Sequence, residues 1–247
     1  MSQTVARAIE ILEFVSQEPR NPADVARHLD VHRSTALRLL ETLTESALTR
    51  RHADGRYGVG YRLAGLAQLA LEQFDLSHVA RPHLARLCER STHTVHLAVL
   101  DGDRVIYADK LEPPRSVRLY SQVGLPVALH AAGVAKAILA FRSPATTERL
   151  LRGCRFEPHT GTTLTDRDAY LAQLADVRAR GWAVDDGEFE DYVNCVAMPI
   201  RDASGEVTAA VSVTALKARA GLPELHQLLP ALGEAASAIS KELGWKP

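Results

Sequence analysis

The sequence predicts an α+β protein of two domains, a winged helix-turn-helix followed by a mixed domain of helices and strands. Three observations carry that prediction. The chain has 247 residues, a length that leans towards two cores rather than one. Signals for helix, short helix, turn, helix and hairpin follow one another before Arg62. From His93 the hydrophobic period changes, and strands and helices then mix with an antiparallel-leaning pattern. The predicted boundaries are a winged domain over 1–62, a linker helix over 63–76 and a second domain over 77–247.

The elements follow in order. Apolar residues at Val5, Ala8, Ile9, Leu12 and Val15 form a helical stripe over 5–17. Asn21-Pro22 reads as an N-cap followed by proline in the first turn, and starts a short helix over 23–29. Asp30-Val31-His32 is a tight connection to a helix over 33–45. His52-Ala53-Asp54-Gly55, with its Asp-Gly step, joins two short strands near 48–51 and 56–59. Residues 63–90 are mostly helical, with Pro82 marking a break or the first turn of a new helix. Strands are expected over 94–100 and 104–109 about Asp101-Gly102-Asp103, and over 117–120. A small-residue helix covers 130–141, and Ser143-Pro144 caps another. Thr165-Asp166-Arg167-Asp168 opens a helix that stops at Gly181. Strands over 193–200 and 207–214 precede a last helix over 223–243, ended by Gly244.

Composition narrows the class. Hydrophobic residues at 46% and charged residues at 24% exclude a disordered or fibrous chain. No basic segment followed by an apolar run opens the sequence, so no secretory signal is read. The longest uncharged run, 119–135, contains Gly124, Pro126 and His130 and is a poor membrane span. Three dispersed cysteines, Cys88, Cys154 and Cys195, exclude a disulfide framework and fit a reducing cytoplasm.

The net charge of −1 is uninformative, but its distribution is not. Between Val31 and Arg62 stand Arg33, Arg38, Arg50, Arg51, Arg56 and Arg62, against Glu41, Glu45 and Asp54. On charge alone this is equally an ordinary solvated face. Wound at 100° per residue, the helix from Arg33 turns Ala36, Leu39, Leu40, Leu43 and Ala47 to one side. Ser34, Thr35, Arg38, Glu41, Thr42 and Glu45 turn to the other. Hydroxyls and Arg lead, and carboxylates trail. That order suits a helix entering a major groove by its N-terminal end, where Arg pairs with guanine and hydroxyls bind phosphate. The expected DNA contacts are Arg33, Ser34, Thr35, Arg38 and Thr42 on the helix, with Arg50, Arg51 and Arg56 on the wing. The expected partner is double-stranded DNA with a pseudo-palindromic site, read by a dimer or a dimer of dimers.

Ordered motifs then carry a resemblance. Residues 26–43, Ala26-Arg27-His28-Leu29-Asp30-Val31-His32-Arg33-Ser34-Thr35 and onward to Leu43, look like the helix-turn-helix of IclR-type transcriptional regulators. The opening Val5-Ala6-Arg7-Ala8-Ile9-Glu10-Ile11-Leu12 and the wing exit Tyr57-Gly58-Val59-Gly60 do so too. His130-Ala131-Ala132-Gly133 with Lys136-Ala137-Ile138-Leu139-Ala140 resembles the family's small-residue helix. Gly181-Trp182-Ala183-Val184-Asp185-Asp186 with Glu188, then Cys195-Val196-Ala197-Met198-Pro199-Ile200, resembles its ligand-domain signature. Ala209-Ala210-Val211-Ser212-Val213-Thr214 resembles the last core strand. The set runs in order along nearly the whole chain, and no single motif decides it.

The resemblance implies a GAF-like second domain that binds a small effector, commonly an organic acid or aromatic compound. It implies a pocket at Gly133, Val134, Asp185, Cys195, Ser212 and Thr214. The chemistry is consistent: helix-start N–H groups bind carboxylates, and hydroxyls two apart on a strand share a face. Cys195 reads equally as plain core, and Asp185 as a solvated residue before a loop. Three positions depart from the family pattern: Tyr192 and Ala135 replace glycines, and Gly187 replaces an acid. Tyr192 and Ala135 add bulk near the pocket. Either the pocket is smaller or its loop takes another path.

An enzyme with an accessory DNA-binding domain is the alternative. The sequence holds no Gly-x-Ser-x-Gly, His-Glu-x-x-His or Walker A motif. Gly58-Val59-Gly60 starts like a dinucleotide fingerprint but meets Leu63 where the third glycine belongs. Cys88, His83, His93 and His96 are zinc-ligand types, but His93 and His96, three apart at a strand start, fall on opposite faces. No catalytic residue, cofactor or metal is therefore expected.

Overall fold

A computed structural model describes residues 3–73, 75–114, 116 and 119–246. The chain divides into two compact units, Met1–Asp75 and Leu76–Pro247.

The first unit contains α1 (Gln3–Gln17), α2 (Pro22–His28), α3 (Arg33–Glu45), β1 (Thr49–Arg51), β2 (Tyr57–Val59) and α4 (Tyr61–Gln73). The Asn21 side chain accepts from the N–H groups of Ala23 and Asp24 and so caps α2. Asp30 takes φ 51 in the turn, a left-handed geometry that aspartate tolerates better than most residues. The cap of α3 was not anticipated: His32 Nδ1 accepts from Ser34 N–H at 3.3 Å. Ile11, Val15, Val25, Ala36, Leu40, Leu43 and Tyr57 close the core beneath. The wing is tied to the α1–α2 connection by reciprocal backbone hydrogen bonds between Arg20 and Tyr57. Gly60 ends it at a close approach, since a Cβ there would lie 2.1 Å from the Ala47 carbonyl oxygen.

Helix α4 covers most of the segment expected as a linker and falls within the first compact unit. Its Leu66 and Leu69 are exposed, while Phe74 and the Ala70 side chain lie outside the described residues.

The second unit is built on a five-stranded antiparallel sheet in the order β4-β3-β7-β6-β5. Its strands are β3 (Thr94–Asp101), β4 (Arg104–Leu111), β5 (Ala183–Asp186), β6 (Val193–Arg201) and β7 (Val207–Leu216). One face packs on α5 (Asp75–Ser91), α9 (Leu222–Gln227) and α10 (Leu229–Glu242). The other packs on α6 (Gly133–Leu139), α7 (Pro144–Leu151) and α8 (Arg167–Arg180). Ser143 and Asp166 cap α7 and α8, and Gly181 ends α8 at φ 88.

Several elements differ from expectation. Pro82 lies inside α5 without breaking it, because Ala80, Leu84, Leu87 and Cys88 bury one continuous face. The last helix is two helices meeting at Leu228; Pro230 has no N–H to continue the ladder. The small-residue helix starts at Gly133 rather than at 130, because the chain first makes a turn on the Ala128 carbonyl. Strand β5 was not anticipated. Of the strand expected over 117–120, Val117 and Arg118 lie outside the described residues, and Leu119 and Tyr120 form no strand.

Candidate functional site

In the first unit, α3 turns Ala36, Leu40 and Leu43 into the core and leaves Arg33, Ser34, Arg38 and Thr42 exposed, with Thr35 half-buried. Arg33 and Arg38 have no acidic partner among the described residues. The Thr42 hydroxyl donates to the Arg38 carbonyl at 2.9 Å, and Ser34 Oγ lies 2.8 Å from His32 Nδ1. On the wing, Arg50, Arg51 and Arg56 are exposed. Arg51 lies over the Tyr57 ring, Arg50 over the Tyr61 ring, and Arg56 beside Asp54.

In the second unit, strand register assembles the other predicted residues. Asp185 on β5 stands opposite Cys195 on β6, which stands opposite Thr214 on β7. The adjacent row runs Lys110, His96, Ser212, Ala197, Ala183 across β4, β3, β7, β6 and β5. Both rows face α6. Gly133 is pressed against this face: a Cβ would meet Cys195 Sγ at 2.6 Å. No side chain caps α6. A cleft borders Gly133, Val134, Asp185, Cys195, Ser212 and Thr214 together. Tyr107, Ser121 and Glu190 also border it, and none of these three was anticipated.

Burial sets the electrostatics. It raises the Asp185 carboxyl to about 7, against a smaller lowering by the Glu188 N–H that donates to Oδ1 at 2.7 Å. It pushes the Cys195 thiol far up, and the Asp185 charge adds to this. His96 falls to about 3, again through burial first and Lys110 second. Lys136 is fully buried and donates to Glu188 Oε1 at 2.5 Å and to the Val184 carbonyl at 3.0 Å. Burial raises the Glu188 carboxyl although Lys136 pulls it down. This pair was not read from the sequence, and the charge pattern carries no signal for it.

The three departures from the family pattern resolve differently. Tyr192 is 55% exposed and does not line the cleft, although its hydroxyl donates to Glu190, which does. Ala135 is buried in α6. Gly187 takes φ +73, and Thr160 and Thr162 hydroxyls donate to its carbonyl. No group of three or more His, Cys, Asp or Glu among the described residues comes together to hold a metal, and no described helix is long and apolar enough to cross a membrane.

A helix-turn-helix in one unit and a cleft with a few converging polar groups in the other fit one class: a regulator of transcription whose DNA binding answers to a small molecule. Comparison with known proteins gives the family. Residues 4–53 match the IclR helix-turn-helix domain, and residues 68–241 match the bacterial transcriptional regulator IclR C-terminal domain. The chain is similar to the HTH-type transcriptional regulator XynR of Escherichia coli, 30% identical over 246 residues and 98% of each chain. It is 33% identical to BhcR of Paracoccus denitrificans over 236 residues, 95% of this chain and 85% of that one. The Thermotoga maritima IclR structure superposes with a TM-score of 0.83 at 30% identity, over 99% of this chain and 100% of that chain. An IclR homolog from Microbacterium hydrocarbonoxydans, complexed with 4-hydroxybenzoate, gives 0.81 at 28% identity, over 98% and 99%. The chain belongs to the IclR family of transcriptional regulators.

Proposed function

We propose that 1–62 is the DNA-binding domain, 63–76 a linker helix and 77–247 the effector domain of a cytoplasmic, non-catalytic regulator. Arg33, Ser34, Thr35, Arg38 and Thr42 face the major groove, and Arg50, Arg51 and Arg56 hold the phosphate backbone. The protein binds a pseudo-palindromic operator as a homodimer or a dimer of dimers, because one winged domain covers too little DNA to select a site in a genome.

The effector lies between Gly133–Val134 and the hydroxyls of Ser212 and Thr214, beside Asp185 and Cys195. The observation that carries this reading is the cross-strand row Asp185–Cys195–Thr214, which opens on the cleft at the start of α6. The effector is a small organic acid. Burial favours the protonated form of Asp185, and the protonated carboxyl donates to the ligand carboxylate instead of repelling it. A Cys195 thiol pushed far up is a poor nucleophile, which supports binding rather than catalysis.

Calorimetric titration of organic acids, run beside operator gel shifts, tests the reading. A true effector binds wild type, changes operator affinity, and binds Ser212→Ala/Thr214→Val more weakly. Equal binding to the double variant would remove the effector from this cleft. Turnover of the acid would favour an enzyme. A monomer by light scattering, free and on DNA, would exclude the dimer.

A further inference from the structure

The cleft's hydroxyls converge on one buried residue that does not itself border it. His96 Nε2 lies 2.7 Å from Ser121 Oγ. Its Nδ1 lies 3.2 Å from Thr214 Oγ1 and 3.5 Å from Ser212 Oγ. All three hydroxyls border the cleft, and His96 is 2% exposed. The ring is fixed from several sides. Ser212 is its cross-strand partner, and the Tyr107 ring packs against it at 4.9 Å. Lys110 donates to the carbonyls of Ser121 and Leu119 and pairs with Glu112, which holds Ser121 against Nε2.

Proton counting decides what the cleft can recognise. Burial and the Lys110 charge keep His96 neutral, so the ring has one N–H and one bare nitrogen. In one tautomer Nε2–H donates to Ser121, and Thr214 or Ser212 gives its proton to Nδ1. In the other, Nδ1–H donates to Thr214 or Ser212, and Ser121 gives its proton to Nε2. In either case one of the three hydroxyls has its only proton on His96 and turns lone pairs alone to the cleft. The other two remain able to donate. A ligand bearing acceptors alone meets lone pairs at the committed hydroxyl. A ligand bearing a hydroxyl as well satisfies both kinds of wall.

Building on the proposed effector site, we infer that His96 is the specificity-determining positioning residue of the cleft, selecting organic acids that carry a hydroxyl over the same acids without one. The tautomer chooses which wall accepts, so the ligand's hydroxyl can lie towards Ser121 or towards the β7 hydroxyls.

The test uses the full chain and two matched pairs of probes: benzoate with 4-hydroxybenzoate, and propionate with 2-hydroxypropionate. Calorimetry on wild type should show about tenfold tighter binding of the hydroxylated member in at least one pair. His96→Phe keeps a ring beside Tyr107 but has no nitrogen, and should bring the two members of that pair together by tightening the unhydroxylated acid, to which the freed hydroxyl can now donate. His96→Gln restores one donor and one acceptor group and should recover part of the preference. A general packing role would weaken both members alike and would not be rescued. Acids that bind wild type without preference, or a preference that survives in His96→Phe, would overturn the role of His96 and leave the effector site standing. Binding of none of the four acids would overturn both. Nitrogen NMR of the wild-type His96 ring gives a readout that needs no variant. One protonated nitrogen at neutral pH is expected; a doubly protonated ring would commit no hydroxyl and would end the proposal.

Discussion

The polar face of α3 leaves its charges unspent, whereas the cleft beside α6 ties its polar groups to one another. Arg33 and Arg38 are exposed, with no acidic partner among the described residues. Behind the cleft wall Lys136 is held by Glu188, Lys110 by Glu112, and His96 by three hydroxyls. On the proposed function, the difference follows from what each region meets. A surface that binds a polyanion gains by displacing counterions, so its cations must be free to reach phosphates and bases. A cleft that binds one small molecule gains by fixing its dipoles beforehand, so that less ordering remains at the moment of binding.

The largest effect that would break this comparison lies under the cleft. Lys136→Met leaves Glu188 buried without its cation and should cost about 3–5 kcal/mol in urea unfolding. A loss below 1 kcal/mol, roughly the worth of a surface pair, would mean the pair is solvated. Next comes Asp185. Its folded carboxyl sits above its unfolded value, so it carries no penalty below 3.8 and an increasing one as pH rises to about 7. Wild type should therefore lose stability across that window, at most roughly 1.4 kcal/mol per pH unit. Asp185→Asn should flatten the curve, and an unchanged curve would place the titration elsewhere.

On α3, Arg38→Ala should weaken specific operator binding by about 1–3 kcal/mol, read by gel shift against nonspecific competitor. Unchanged affinity would take this helix out of the groove. The smallest effect is expected on the wing. Arg51→Ala should weaken all sequences alike and reduce the salt slope by about 1, the signature of a phosphate contact. A loss confined to the operator would make the wing a base reader.

The two regions also differed in how far the sequence disclosed them. The face of α3 follows from the period of one helix, and its neighbours from local cap chemistry at Asn21-Pro22. Those signals lie within a few residues of what they specify. The cleft depends on pairing between distant strands. Asp185, Cys195 and Thr214 were drawn together by family resemblance, since their own spacing does not bring them together. Strand β5 is four residues long, two of them acidic, and is a strand only through its pairing with β6. By type and nearness to His93 and Cys88, His96 reads only as a weak metal-ligand candidate; its actual partners, Ser121 and Thr214, lie 25 and 118 residues away. The Lys136–Glu188 pair spans 52 residues and was invisible for the same reason.

The central pairing of β3 with β7 also has a kinetic consequence. Synthesis proceeds at about 5–20 residues per second, and domains fold as units as they emerge. The unit ending at Asp75 is complete long before β7, which ends at Leu216. For an interval on the order of ten seconds, each nascent chain presents a finished DNA-binding unit while β3 still lacks its central partner. During that interval the apolar edge of β3, Val95 to Val99, waits for a strand not yet made. Ribosomal pausing before Val207 would lengthen the exposure.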